Sequence, residues 1–87
     1  MKSKLVKCKE ILVKYIETLE YDVDAIEYLI DSIEYLLIGI IPCNETILNV
    51  IIEDTMVASS VQRSKELLEV VSLLNQVKEQ ANCISLG

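Results

Sequence analysis

The first part of the chain carries an apolar stripe at helical spacing. Its members follow one another at intervals of three and four residues: Leu5, Cys8, Leu12, Tyr15 and Leu19. This period places them on one side of an α-helix and leaves charged residues on the other side. The pattern predicts an amphipathic helix over residues 3–21.

A second apolar stripe follows a pair of aspartates. Asp24 with Glu27 three residues later has the spacing of a capping box, so this helix is predicted to start near Asp22 or Asp24. Gly39 and Pro42 are predicted to end it. Glycine favours the left-handed conformation that follows a helix, and proline cannot continue one.

The second half of the chain contains no proline and no internal glycine, so helix boundaries there depend on caps. Asn44 is the predicted N-cap of a third helix. The apolar residues of this helix fall on more than one face, which predicts burial on most sides. Ser59 with Gln62 has capping-box spacing and predicts a break near 58–60, followed by a fourth helix over 61–81. Without that break, both segments form one long helix.

Short connections between helices favour antiparallel neighbours. We therefore predict an all-α fold, a small antiparallel helical bundle of the up-down four-helix type. The alternative is three helices with a long third helix that pairs with a second chain. Residues 1–82 are predicted to form a single helical domain, and 83–87 a disordered C-terminal tail. The most apolar window of the chain is 35–52. A membrane span needs about 20 consecutive apolar residues, and this window is interrupted by Pro42. It is therefore predicted to be two helix ends joined by a turn, and no membrane span is predicted.

The apolar content exceeds what a small monomer is expected to bury. Of the 87 residues, 52% are hydrophobic, and the mean hydropathy is +0.39. Average proteins reach about 45–50% only when glycine is included, and a small domain buries roughly 60% of its unfolded surface. Because large exposed apolar patches mark interfaces, we expect a homo-oligomer, most simply a homodimer, or an obligate partner.

Charge is distributed unevenly along the chain. The net charge is −6, and residues 21–54 hold eight Asp and Glu residues but no Lys or Arg. Since nucleic-acid phosphates repel an acidic surface, the sequence predicts no nucleic-acid binding. A basic protein is the partner that this charge favours.

The residue types of common catalytic and metal sites are missing or scattered. The chain has no histidine, and its glycines lie at positions 39 and 87, which excludes histidine-based triads and glycine-rich phosphate loops. Cys8, Cys43 and Cys83 form no closely spaced pair, so free thiols in a reducing cytoplasm are expected. An up-down bundle brings the three cysteines toward one end, but no fourth ligand completes a zinc site. We predict no enzyme activity, no cofactor and no metal.

Two sets of side chains on the second helix are the candidate partner-binding residues. The acidic set has 3-4-3 spacing and comprises Asp24, Glu27, Asp31 and Glu34. The aromatic set recurs every seven residues and comprises Tyr21, Tyr28 and Tyr35. Tyrosines beside an apolar stripe suit the edge of an interface. The alternatives are an acidic face that is solvated or paired with lysines of the first helix, and tyrosines that cover the chain's own core.

These observations lead to one functional hypothesis and three alternatives. The hypothesis is a non-enzymatic helical protein–protein interaction module that self-associates as a homodimer. The first alternative is a small acidic inhibitor or immunity-type protein that blocks a basic surface on a target protein. The second, an enzyme, would need Cys43 as its nucleophile and has no base beside it in sequence. The third is peripheral membrane attachment through the lysine-flanked face of the first helix.

Overall fold

The computed structural model describes residues 2–86, and the side chains of residues 2–81. Over these residues it contains no strand and four α-helices: α1 (Lys2–Ile16), α2 (Val23–Ile38), α3 (Glu45–Gln62) and α4 (Lys65–Leu86). The all-α prediction is confirmed, and there are four helices where three were the alternative. The radius of gyration is 12.4 Å, close to the value of about 12 Å expected for a compact chain of this length.

Helix α1 is shorter than the apolar pattern predicts. It ends at Ile16, where the prediction extended it to residue 21. Just beyond this end, Thr18 Oγ1 donates a hydrogen bond to the carbonyl of Tyr15 at 2.7 Å. A side chain that bonds to the local backbone in this way competes with the next helical turn. Leu19 still packs against the core, from the connection that follows α1.

The ends of α2 and the start of α3 lie close to the residues that the sequence marks. Asp22 precedes α2 with φ of 61°, and its side chain makes no capping hydrogen bond. The predicted capping by Asp24 is wrong, because Asp24 lies inside the first turn. Gly39 ends α2 as predicted, with φ of 82° in the region that glycine enters without strain. The predicted cap at Asn44 is also confirmed, since its Oδ1 accepts a hydrogen bond from the N–H of Ile47 at 2.9 Å.

The break between α3 and α4 lies later than predicted. The expected break at Ser59 is wrong, because α3 continues to Gln62 and Arg63 then adopts φ of 52°. Ser64 caps α4: its Oγ accepts a hydrogen bond from the N–H of Leu67 at 3.2 Å. Ser59 instead donates a hydrogen bond from its Oγ to the carbonyl of Ser64, also at 3.2 Å. Two serines therefore stabilise this turn without any glycine.

The four helices contact one another in a closed ring around a single core. Helix α1 packs against α2 and α4, and α3 packs against α4 and α2. Fully buried side chains come from every helix, among them Leu12, Ile33, Leu48 and Leu74. Helices α2 and α3 pack together less extensively than any other neighbouring pair.

Over the described residues, none of the helices has the apolar length that a bilayer span requires.

Two expectations concern the C-terminal end of the chain. The division into a domain at 1–82 and a disordered tail at 83–87 stays a prediction. Helix α4 includes residues 83–86, and Gly87 lies outside the described residues. The side chain of Cys83 also lies outside them, so the proximity of the three cysteines stays a prediction as well.

Candidate partner-binding groove

A groove with a volume of about 850 Å³ lies between α2 and α3. Its first wall is formed by Asp22, Val23, Asp24, Ala25, Tyr28 and Leu29. Its second wall is formed by Asp54, Val57, Ala58, Val61 and Gln62. Leu29 and Ala58 are buried and form the base, so the groove reaches down to the apolar core.

The α3 wall exposes two valines. Val57 is 64% exposed and Val61 is 70% exposed, and their spacing of four residues places them one turn apart on the same side of the helix. The prediction that α3 is buried on most sides is therefore wrong. One face, which includes Leu48 and Ile51, packs into the core. The side toward α2 stays uncovered because those two helices are only loosely packed.

All three tyrosines of the aromatic set are exposed. Tyr28 lines the groove and is 54% exposed. Tyr21 lines an adjoining depression, and Tyr35 is exposed but lines neither. Their exposure leaves both interpretations of the aromatic set, an interface edge and a cover over the core, as predictions.

The adjoining depression, of about 400 Å³, continues the groove past the start of α2. Asp22, Val61 and Gln62 line both, so the two form one surface. At this end, Tyr15 Oη donates a hydrogen bond to Gln62 Oε1 at 2.5 Å. This bond joins the last turn of α1 to the last turn of α3 and holds the end of the groove in place.

Every charged residue that lines the groove or the depression is acidic. These residues are Glu20, Asp22, Asp24 and Asp54. Arg63 follows Gln62 in the chain but lines neither of them. Among the described residues, no three carboxylates or thiols come together as a group that could hold a metal ion. The surface thus combines an apolar centre with negative charge spread along both walls.

The rest of the predicted acidic set lies elsewhere on α2. Glu34 forms an ion pair with Lys9 of α1, with 2.7 Å between Oε1 and Nζ. Such a partly exposed pair contributes about 0–1 kcal/mol to stability. For Glu34, the alternative in which the acidic set pairs with lysines of the first helix therefore applies. Glu27 and Asp31 are exposed and do not line the groove. Only Asp24 of this set belongs to it.

The two cysteines with described side chains are poor nucleophiles. Cys8 is fully buried, and burial, aided by the charge of Glu69, raises the pKa of its thiol to about 12. Cys43 is half-buried, and burial raises the pKa of its thiol as well. Because the thiolate is the reactive form, neither environment activates a cysteine for catalysis at neutral pH.

Sequence reasoning missed the α3 half of the groove. Asp54, Val57 and Val61 follow one another at spacings of three and four residues, which is the spacing of one helical side. The sequence signal is an excess of apolar residues on α3, which by itself predicts burial. An apolar side of a helix has the same sequence pattern whether or not another helix packs against it.

No protein-family model matches the chain, and no curated protein or solved structure is significantly similar to it.

Proposed function

We propose that this chain is a non-enzymatic helical interaction module that binds another protein in the α2–α3 groove. The observation that carries the proposal is the pair of exposed valines facing an exposed tyrosine above a buried apolar base. Contiguous exposed apolar side chains with polar surroundings are typical of protein-binding sites. A small acidic inhibitor that covers a basic surface of its target is one form of such a module.

We infer an up-down-up-down antiparallel order for the four helices. The closed ring of contacts and the short connections between consecutive helices support this order. In it, the first turns of α2 lie beside the last turns of α3, which are the parts that line the groove. A groove between two helices suits a partner helix laid along it.

A photo-crosslinking amino acid at position 57 tests the proposal in cells of the source organism. We expect a discrete covalent adduct between this chain and a second protein, because the side chain at this position points into the proposed interface. Gln76, exposed on α4, is the matched control position. The absence of an adduct at position 57, or the same adducts at both positions, would overturn the proposal.

A second candidate, self-association as a homodimer, is favoured by exposed isoleucines at the end of α2. Ile38 and Ile40 are about two-thirds exposed there, at 66% and 65%, and residues 36–43 contain no charged side chain. A two-fold contact through the α2–α3 groove would instead bring the groove carboxylates of both copies, Asp54 among them, into one interface with no basic residue from the groove walls. We therefore assign any homodimer to the Ile38 and Ile40 end.

Light scattering coupled to size-exclusion chromatography over a range of concentrations tests this second candidate. The double variant Ile38→Asn, Ile40→Asn should be monomeric where the wild-type chain is dimeric. Val57→Gln with Val61→Gln is the control and should leave the dimer intact. A wild-type chain that stays monomeric at every concentration would refute self-association.

A further inference from the structure

We propose that the partner in the α2–α3 groove is an amphipathic helix of a different protein, with lysine or arginine residues flanking its apolar stripe. This inference rests on the proposed function, since it names the chemistry of the partner for the same groove. Three features support it: the dimensions of the groove, the spacing of its exposed apolar residues, and the sign of its charge.

The dimensions of the groove fit about two turns of a helix. Its α3 wall extends from Asp54 to Gln62, which at about 1.5 Å per residue is roughly 12 Å along the axis. Val57 and Val61 lie on one side of this wall, and Tyr28 lies opposite. Apolar residues of a bound helix at positions i, i+4 and i+7 would meet these side chains and the base below them.

The negative charge of the groove favours basic residues on both flanks of the bound helix. Asp22 and Asp24 lie on the α2 wall, and Asp54 lies on the α3 wall, so carboxylates stand on both sides of the apolar centre. Basic residues on both flanks of a bound helix would therefore each face an opposite charge. An acidic helix would place like charges together, which disfavours binding. The same repulsion disfavours an anionic lipid surface and a second copy bound through this face.

Two designed helical peptides provide the first part of the test. Both carry leucines at positions i, i+4 and i+7, and they differ only in having lysine or glutamate on the flanks. Binding of each labelled peptide to the full chain is measured by fluorescence anisotropy at low and physiological salt. We expect the lysine peptide to bind, to bind more weakly as salt rises because exposed charges are screened, and the glutamate peptide not to bind.

Two triple variants provide the second part. The groove variant removes the three carboxylates of the walls: Asp22→Asn, Asp24→Asn and Asp54→Asn. Asparagine, like aspartate, tolerates the left-handed backbone found at position 22. The control variant removes as much charge from exposed positions outside the groove: Glu10→Gln, Glu69→Gln and Glu79→Gln.

The expected result is a loss of affinity confined to the groove variant. Three ion pairs of surface strength correspond to a loss on the order of tenfold, while the control variant should bind within about twofold of the wild-type chain. The inference is overturned if both peptides bind equally, if both variants weaken binding equally, or if the lysine peptide does not bind. If the lysine peptide fails but the crosslink at Val57 forms, the groove is an interface and only the partner class is wrong. If neither occurs, the proposed function fails too.

Discussion

Replacing the two exposed valines of the groove tests whether that surface is open in the free protein. The change is the double variant Val57→Gln, Val61→Gln, which removes the apolar side chains of the α3 wall and keeps the helix. If the groove is an uncovered surface, this variant should fold with nearly the stability of the wild-type chain while it loses the lysine peptide.

The magnitude follows from the exposed fractions of the two side chains. Full burial of a valine stabilises a protein by about 1.5–3 kcal/mol, and Val57 and Val61 have only about a third of their surface buried, being 64% and 70% exposed. Losing that burial costs roughly 0.5–1 kcal/mol at each site, and glutamine recovers a few tenths because it is a better helix former than valine. The double variant should therefore lose about 0.5–1.5 kcal/mol.

The measurement is urea unfolding followed by circular dichroism at 222 nm. Leu48→Ala is the matched control, because Leu48 lies on the buried face of the same helix. Truncating a fully buried leucine costs about 2–5 kcal/mol. Running each variant at two protein concentrations separates folding from any self-association.

A large loss of stability in the double variant would contradict an open groove. A decrease of about 3 kcal/mol or more, comparable to that of Leu48→Ala, would mean that the valines are covered in the folded protein. The α2–α3 groove would then be closed, and the proposed partner site would have no surface to use.

Four further predictions concern helix ends and thiols. Ser64→Ala should lower the free energy of unfolding by about 1 kcal/mol because α4 loses its cap. Ser64→Asn should retain most of the wild-type stability, because asparagine is also a good cap. Equal urea midpoints for Ser64→Ala and the wild-type chain would contradict the cap. Hydrogen bonds from its own backbone N–H and from Ser64 lower the pKa of Glu66 below its usual value. Its contribution to stability is therefore present above the pKa of an unfolded glutamate and lost as the pH falls through the lowered pKa. Glu66→Gln should flatten this part of the acid-side stability curve, and an unchanged slope would contradict the prediction. Gly39→Ala should cost about 1–2 kcal/mol through backbone strain alone, since φ is 82° and no atom lies within 4 Å of an added Cβ; a neutral effect in thermal unfolding would show that the turn is not left-handed. Alkylation at pH 8 with peptide mapping should modify Cys43 well before Cys8, because Cys8 is fully buried and Cys43 is half-buried. Equal rates at the two cysteines would contradict that difference in burial.

The helices and several of their ends could be predicted because local physics decides them. Leu5, Cys8 and Leu12 are spaced for one side of a helix, and all three are buried in the core. A glycine at position 39 and an asparagine at position 44 define helix ends through backbone freedom and a single side-chain hydrogen bond. These are interactions within a few residues of sequence, so they require no knowledge of the rest of the fold.

The break between α3 and α4 could not be placed from sequence. Ser59 and Ser64 are both able to cap a helix, and no glycine or proline distinguishes them. Packing decides between them. Ser59 is buried within α3, and the extension of that helix to Gln62 allows the hydrogen bond from Tyr15 of α1. Such a contact between distant segments has no signature in the local pattern.

The candidate site depends partly on local sequence and partly on how the four helices pack. The amino-acid pattern is enough to predict that the chain is helical, that 21–54 is acidic and that α3 is apolar on more than one side. The packing of the folded bundle is needed to show that α2 leaves the Val57 and Val61 side of α3 uncovered, and that Asp22, Asp24 and Asp54 lie along the resulting groove. Periodicity records which side of a helix is apolar, whereas the distance between neighbouring helices depends on how all four pack together.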